Sequence, residues 1–420
     1  MRQVLPLRLW SLRAAVLLVL PFATSAQGLG FEEALRVAAE RAPLLKVRAA
    51  SVRGAAALQA SATELPDPKL SVGIDSLPIN GPDRGSLTRD NFTQRQLGWT
   101  QDVPNRAKRA ARSDAALART AREQALLQTE QLTVRRETGL AWLAVSFAYK
   151  RLQLFDDLIG QQRLLQGTAN AQLAAGKIAP ADVSAIELEA LSLADRRDDL
   201  QRDVQQALAA LRRWTGPIST PGLSGLSGEV PQLTVDPAWL QANIERSAEV
   251  AAFTPLRAVA DADMREAEAA KGGDWSWGIR YGKRGPAYSD FLSVQLTFDL
   301  PLSPETRQQP LIQARQKELE RIQAERDETL LQQTQAIETS LNELTETTSK
   351  LERLRQHILP LARQRSEFTL AAYQSGRDKL ASVLEARKQQ TEMGLRALEL
   401  QARQTAVQWR LNSFIAEHAP

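Results

Sequence analysis

The 420-residue chain has no cysteine. That excludes disulfides, thiolate metal sites and lipidation at a processed N-terminal Cys. Its two histidines, His357 and His418, stand alone without metal-ligand spacing. Methionine is equally sparse, with three in the chain, so a soft-metal relay has no support. Aromatics make up only 5%. No phosphate loop, nucleophile elbow or zinc-binding helix motif is present, so the expectation is a non-enzyme with no cofactor and no bound metal. After residue 26 no segment stays apolar for the length of a membrane-spanning helix.

The first 26 residues read as a signal peptide. Arg2, Arg8 and Arg13 precede an apolar stretch at 14–22, and Ala23-Thr24-Ser25-Ala26 offers small residues for cleavage. Without those three arginines, the 53 Lys and Arg become 50 against 49 Asp and Glu, about neutral. The basic balance therefore lies in the leader and gives no footing for nucleic-acid binding.

What is present is a duplication. Leu97-Gly98-Trp99-Thr100-Gln101-Asp102-Val103-Pro104 is matched by Val294-Gln295-Leu296-Thr297-Phe298-Asp299-Leu300-Pro301, and Ala175-Gly176-Lys177 by Ser375-Gly376-Arg377. Each half predicts a helix, a strand hairpin, a very long helix, a Gly turn and a returning helix. The first repeat runs over 27–215, with a hairpin at 68–103, a long helix at 105–174 and a returning helix at 180–215. A linker follows at 216–237. The second repeat runs over 238–420, with a hairpin at 274–300, a long helix at 304–374 and a returning helix at 378–417. Gly176 and Gly376 read as helix C-caps. Leu344, Leu351 and Ile358, with Leu354, Leu361 and Phe368 offset by three, predict a coiled-coil seam in the second long helix.

The strands alternate apolar and polar residues. Leu70, Val72 and Ile74 share one face; so do Trp275, Trp277, Ile279 and Tyr281; so do Leu292, Val294, Leu296 and Phe298. Segments of about ten residues suit a tilted bilayer crossing. The alternative is a soluble four-stranded sheet lying on helices. Four strands cannot enclose a pore alone, and an open margin in lipid costs several kcal/mol per unpaired group, so spanning strands require several copies of the chain. Arg106, Lys108, Arg109 and Arg112, just beyond the second strand, read as a solvated basic face, or else as contacts to lipid phosphate.

These features together resemble the TolC-type outer-membrane factors: the repeat, the strands ending in Val103-Pro104 and Leu300-Pro301, and Tyr373-x-x-Gly376. Leu65-Pro66-Asp67-Pro68-Lys69-Leu70, Gly81-Pro82-Asp83, Ser86-Leu87-Thr88-Arg89-Asp90 and Pro104-Asn105 are similar to the subgroup serving heavy-metal RND pumps. The resemblance implies a mainly α fold with a small β part, in which duplicated long helical hairpins build an α-helical barrel. It implies four strands per chain in a twelve-stranded transmembrane β-barrel shared by a homotrimer. It also implies a passive efflux duct in the bacterial outer membrane with a long periplasmic portion, served by a periplasmic adaptor and an inner-membrane RND pump. Heavy-metal cations are the implied cargo, with drugs or secreted polypeptides the alternative. A periplasmic coiled-coil scaffold or adaptor is the alternative of another class. By the same resemblance Asp182 and Tyr373 form a lock at the periplasmic mouth. Glu385 is placed for an acidic ring in the lumen, although Ser382 and Asp378 depart from the relatives' pattern. Gly176, Lys177, Gly376 and Arg377 are the tips for adaptor contact.

Overall fold

The computed structural model describes residues 29–176, 178–217 and 232–414. The expected signal peptide, Lys177 and most of the expected linker lie outside the described residues.

Helices α1 (Phe31–Arg41) and α2 (Pro43–Ala62) lead into strands β1 (Lys69–Asp75) and β2 (Gln94–Val103). Helix α3 then runs unbroken from Arg106 to Ala174, 69 residues, or about 104 Å at 1.5 Å per residue. Asn105 starts it, its side-chain oxygen accepting the Lys108 backbone N–H at 2.8 Å. Helix α4 (Pro180–Thr215) returns alongside it and ends at Gly216, whose φ of 78° suits glycine. Short helices α5 (Pro237–Ala242) and α6 (Ala248–Ala251) precede α7 (Phe253–Ala269), β3 (Trp275–Lys283) and β4 (Phe291–Phe298). The second hairpin consists of α8 (Pro304–Arg353), a π turn over Leu354–Ile358, α9 (Leu359–Gln374) and α10 (Leu380–Asn412). The long helix expected at 304–374 is therefore interrupted, and the returning helix begins at 380 rather than 378.

The interruption changes the seam. Pro360 has no N–H to give a carbonyl four residues back. The chain absorbs this with a five-residue step, in which the Leu359 N–H reaches the Leu354 carbonyl. One surplus residue turns everything beyond by about 100°. Above the turn, Leu351 and Leu354 are buried as expected, packed with Ala397 on α10. Below it, Ile358, Leu361 and Phe368 are exposed, at 39%, 63% and 64%. The seven-residue series of Leu344 and Leu351 resumes displaced by one: Leu359 packs against the Leu351 cluster, Ser366 is buried, and Tyr373 packs at the tip. The uniform seven-residue extrapolation fails because it steps across the π turn without counting it.

The fold is anchored midway along the hairpins, where α1, α3, α4 and α10 meet. Phe31, Trp142 and Trp409 form an edge-to-face cluster there, with Phe31 centroids 5.2 Å and 4.9 Å from the two indoles. Each buried indole N–H is satisfied. Trp142 Nε1 donates to the Leu29 carbonyl and Trp409 Nε1 to the Arg136 carbonyl, both at 2.9 Å. Gly139 makes room for Trp409, since a Cβ there would lie 2.3 Å from its Nε1. At the end of the expected linker, the Asn412 side chain accepts the Thr234 N–H at 3.0 Å and donates to the Gln232 carbonyl at 2.7 Å.

Candidate functional site

The four strands form one antiparallel sheet in the order β1-β2-β3-β4. The two hairpins are joined through β2 and β3, from Val103↔Trp275 to Arg95↔Lys283. Directly opposed residues share a face, so the registers assign both surfaces. One carries Leu70, Val72, Leu97, Trp99, Ile279, Val294, Leu296 and Phe298. It is bare: Val72 is 79% exposed and Val294 70%. The other carries Ser71, Gln96, Thr100, Ser276, Arg280, Ser293, Gln295 and Thr297. This polar surface is hollowed, enclosing about 190 Å³. Gly98 sits at its floor, where a Cβ would approach Ser71 Oγ to 2.5 Å. Strands β1 and β4 each pair on one side only. A sheet lying apolar-face-down on helices is thereby excluded, because that face touches no core of this chain.

Where the strands meet the helices, a polar knot ties the repeats together. Asp274 accepts the Asn105 backbone N–H at 2.9 Å and pairs with Lys108 Nζ at 2.9 Å. The Asn105 amide donates to the carbonyls of Ala269 and Gly272 at 2.9 and 2.8 Å. Burial pushes the Asp274 carboxyl up, but the bonds from Lys108 and the Asn105 N–H outweigh it and hold the group below the usual carboxylate range. Further along, Arg112 pairs with Glu266 at 2.6 Å and Arg119 with Asp263 at 2.9 Å. The basic run after β2 is thus not simply a solvated or lipid-facing surface. Lys108 and Arg112 knit α3 to the segment preceding β3.

At the far end, both hairpins turn on glycines in the left-handed region, Gly176 at φ 69° and Gly376 at φ 71°. The Arg377 N–H reaches the Ala372 carbonyl at 2.9 Å and closes the second turn. Gly176, Gly376 and Arg377 are exposed. Tyr373 packs beside a cluster of Ala169, Ile186 and Leu380, which brings the two hairpins together. Asp182 lies one helical turn before Ile186, and its carboxylate accepts the Ala179 N–H at 3.2 Å. Asp378 accepts the Lys379 N–H at 2.7 Å and the Ser382 hydroxyl at 2.8 Å. The Ser382 bond first, then the Lys379 N–H, hold its carboxyl below the ordinary value. Glu385 is exposed, on the side of α10 away from buried Val383 and Ala386.

The architecture matches solved membrane channels over nearly its whole length. The outer-membrane channel OprN has a TM-score of 0.75 at 16% identity, with 93% of this chain and 91% of that one covered. The Campylobacter jejuni CmeC outer membrane channel gives 0.72 at 12%, covering 93% and 85%. CusC, solved in conformations accompanying folding and transmembrane channel formation, gives 0.67 at 16%, covering 92% of each chain. No protein-family model matches the sequence, and no curated protein matches it in the sequence comparison. The chain has the fold of these outer-membrane channels.

Asp274, Glu266 and Gly139 do not stand out in the sequence. A carboxylate directly before a strand and a helix-interior glycine were visible, but their partners lie more than a hundred residues away. Among the described residues, no group of three or more His, Cys, Asp or Glu side chains is placed to hold a metal ion. No described helix is long and apolar enough to cross a membrane.

Proposed function

We propose that the protein is the passive outer-membrane duct of a tripartite efflux system, acting as a homotrimer whose twelve strands close one β-barrel. One observation carries this reading. The sheet offers lipid a bare apolar face and water a hollow polar one, yet leaves the margins of β1 and β4 unpaired. In hydrocarbon each unpaired backbone group costs several kcal/mol, and a neighbouring copy pairing β4 with β1 removes that cost. The distal loops then face outward and the long hairpins reach back through the periplasm.

The outer-membrane location and non-enzymatic role follow from the same reading and agree with the shared fold. An inner-membrane RND pump supplies the energy, and a periplasmic adaptor meets the exposed tips at Gly176, Gly376 and Arg377 and, next in sequence to Gly176, Lys177. Tyr373 and Asp182 form the breakable mouth lock: Tyr373 packs beside Ile186, Asp182 lies one helical turn before Ile186, and a phenol donates well to a carboxylate. Glu385 repeats threefold as an acidic ring. Heavy-metal cations are the proposed cargo, supported by the segments around Leu65-Pro66-Asp67 and Ser86–Asp90. They pass through water without being chelated, so specificity rests with the pump.

The test is fractionation with unheated electrophoresis. Heat-modifiable trimers in the outer membrane are expected. A monomer in the soluble periplasmic fraction overturns the duct and favours a scaffold. Zinc, cadmium, cobalt and drug sensitivities of a deletion strain test the cargo. Sensitivity to drugs alone overturns the metal assignment.

A further inference from the structure

Arg280 stands at the middle of the hollow polar face. It is opposed by Gly98 on β2 and Ser293 on β4, while Gly98 is opposed by Ser71 on β1. Two residues along its own strand lie Gly278 and Gly282. A Cβ on Gly98 would sit 3.8 Å from Arg280 Cγ and 3.9 Å from Nε, so the arginine stem lies across the bare glycine. The guanidinium forms no ion pair among the described residues. Hydroxyls of Thr100, Ser276 and Ser293 line the same hollow, and none hydrogen-bonds to another described residue.

The carboxylates sharing this face within the strands are Asp75 and Asp102. Each lies four residues from the Arg280 row, at about 13 Å along the strand, beyond the roughly 8 Å screening length at physiological salt. Both are also engaged. Gln96 donates to Asp75 at 2.8 Å, and Lys69 pairs with Asp102 at 2.7 Å.

We infer that this hollow is an anion-binding station on the channel wall, taking oxyanions or carboxylate-bearing solutes. A planar guanidinium matches such groups with paired N–H donors, and the surrounding hydroxyls add further ones. The inference rests on the duct reading, which turns one station per chain into a ring of three. A ring of one sign inside low-dielectric walls concentrates the opposite ion. It gives a route to the anions that must accompany outgoing cations for charge balance.

The full-length protein in planar bilayers under a KCl gradient tests this. The readout is the shift on substitution, since the Glu385 ring acts on the same ratio in the opposite sense. Arg280→Gln lowers the chloride-to-potassium permeability ratio by roughly twofold or more, Arg280→Glu lowers it further, and Arg280→Lys retains most of it. Inorganic phosphate reduces the wild-type current and leaves that of Arg280→Gln unchanged. Equal ratios and equal phosphate responses in open wild-type and Arg280→Gln channels overturn the station and leave the duct standing. A protein that conducts no ions even when the mouth lock is removed by Tyr373→Phe with Asp182→Ala overturns the duct, and the station with it.

Discussion

Replacing Gly139 with alanine tests the anchor on which both hairpins converge. The new Cβ would lie 2.3, 2.4 and 2.7 Å from Nε1, Cε2 and Cζ2 of Trp409. Ordinary carbon contacts begin at about 3.5 Å, so the indole must retreat by about an ångström. It has nowhere to go: Trp409 is 0% exposed, Phe31 packs on it edge-on, and its N–H is held by the Arg136 carbonyl. Overpacking costs about 1–3 kcal/mol and an orphaned buried donor about 1–3 kcal/mol, while alanine's helix preference returns about 1, leaving a net loss of about 1–5 kcal/mol. Gly160 provides the internal control. It lies in the same helix, and a Cβ there meets nothing within 4 Å. Gly160→Ala should therefore gain up to about 1 kcal/mol. Circular dichroism at the helical minimum, followed with heat or denaturant on detergent-solubilised protein, reads the order: Gly139→Ala below wild type, Gly160→Ala at or above it. If Gly139→Ala unfolds at or above the control, the close approach to Trp409 is not what holds the hairpins together.

Asp274→Asn removes a carboxylate whose native pKa is depressed, so its stabilisation is complete above the unfolded value of about 3.9 and fades as pH falls through the folded one. The variant should lose about 1–2 kcal/mol at pH 7. The gap to wild type should begin to narrow as pH falls below about 4 and keep narrowing through the lower folded pKa; a gap that stays constant as pH falls through that range refutes the charge assignment. Val294→Lys on the apolar face should cost about 2–4 kcal/mol of membrane stability, while Ser293→Lys on the opposite face costs little. Refolding into vesicles compares them, and equal losses would mean the faces are misassigned. Tyr373→Phe combined with Asp182→Ala should raise conductance in planar bilayers. Unchanged conductance with intact trimers discards the lock.

The strand faces were readable because a period of two survives in Leu70-Ser71-Val72 and in Leu292 to Phe298 whatever the strands pair with. Their union into one sheet was not, since Val103 and Trp275 meet across a gap filled by the whole first hairpin. The turns at Gly176 and Gly376 were readable because left-handed backbone nearly demands glycine. The seam was readable down to Leu354 and misread beyond it, because a π turn carries no residue signature of its own and Pro360 marks only its neighbourhood. Lys108 and Arg112 looked like surface charge because their acids lie far off in sequence. At the mouth, only the resemblance points to Asp182 and Tyr373 as a pair; Tyr373 packs in the cluster that joins the tips, while the Asp182 carboxylate accepts the Ala179 N–H of its own helix start.

The surplus residue in the π turn works as slack between two separately fitted parts. Deleting one of Arg355, Gln356 or His357 would restore an even α-helical spiral while leaving Leu359, Ser366 and Tyr373 facing the partners they have now. Adding a residue there would swing Tyr373 off its cluster and bring Ala372 round in its place. The upper half of the second hairpin can thus drift in length by a single step without disturbing its mouth, in one direction only.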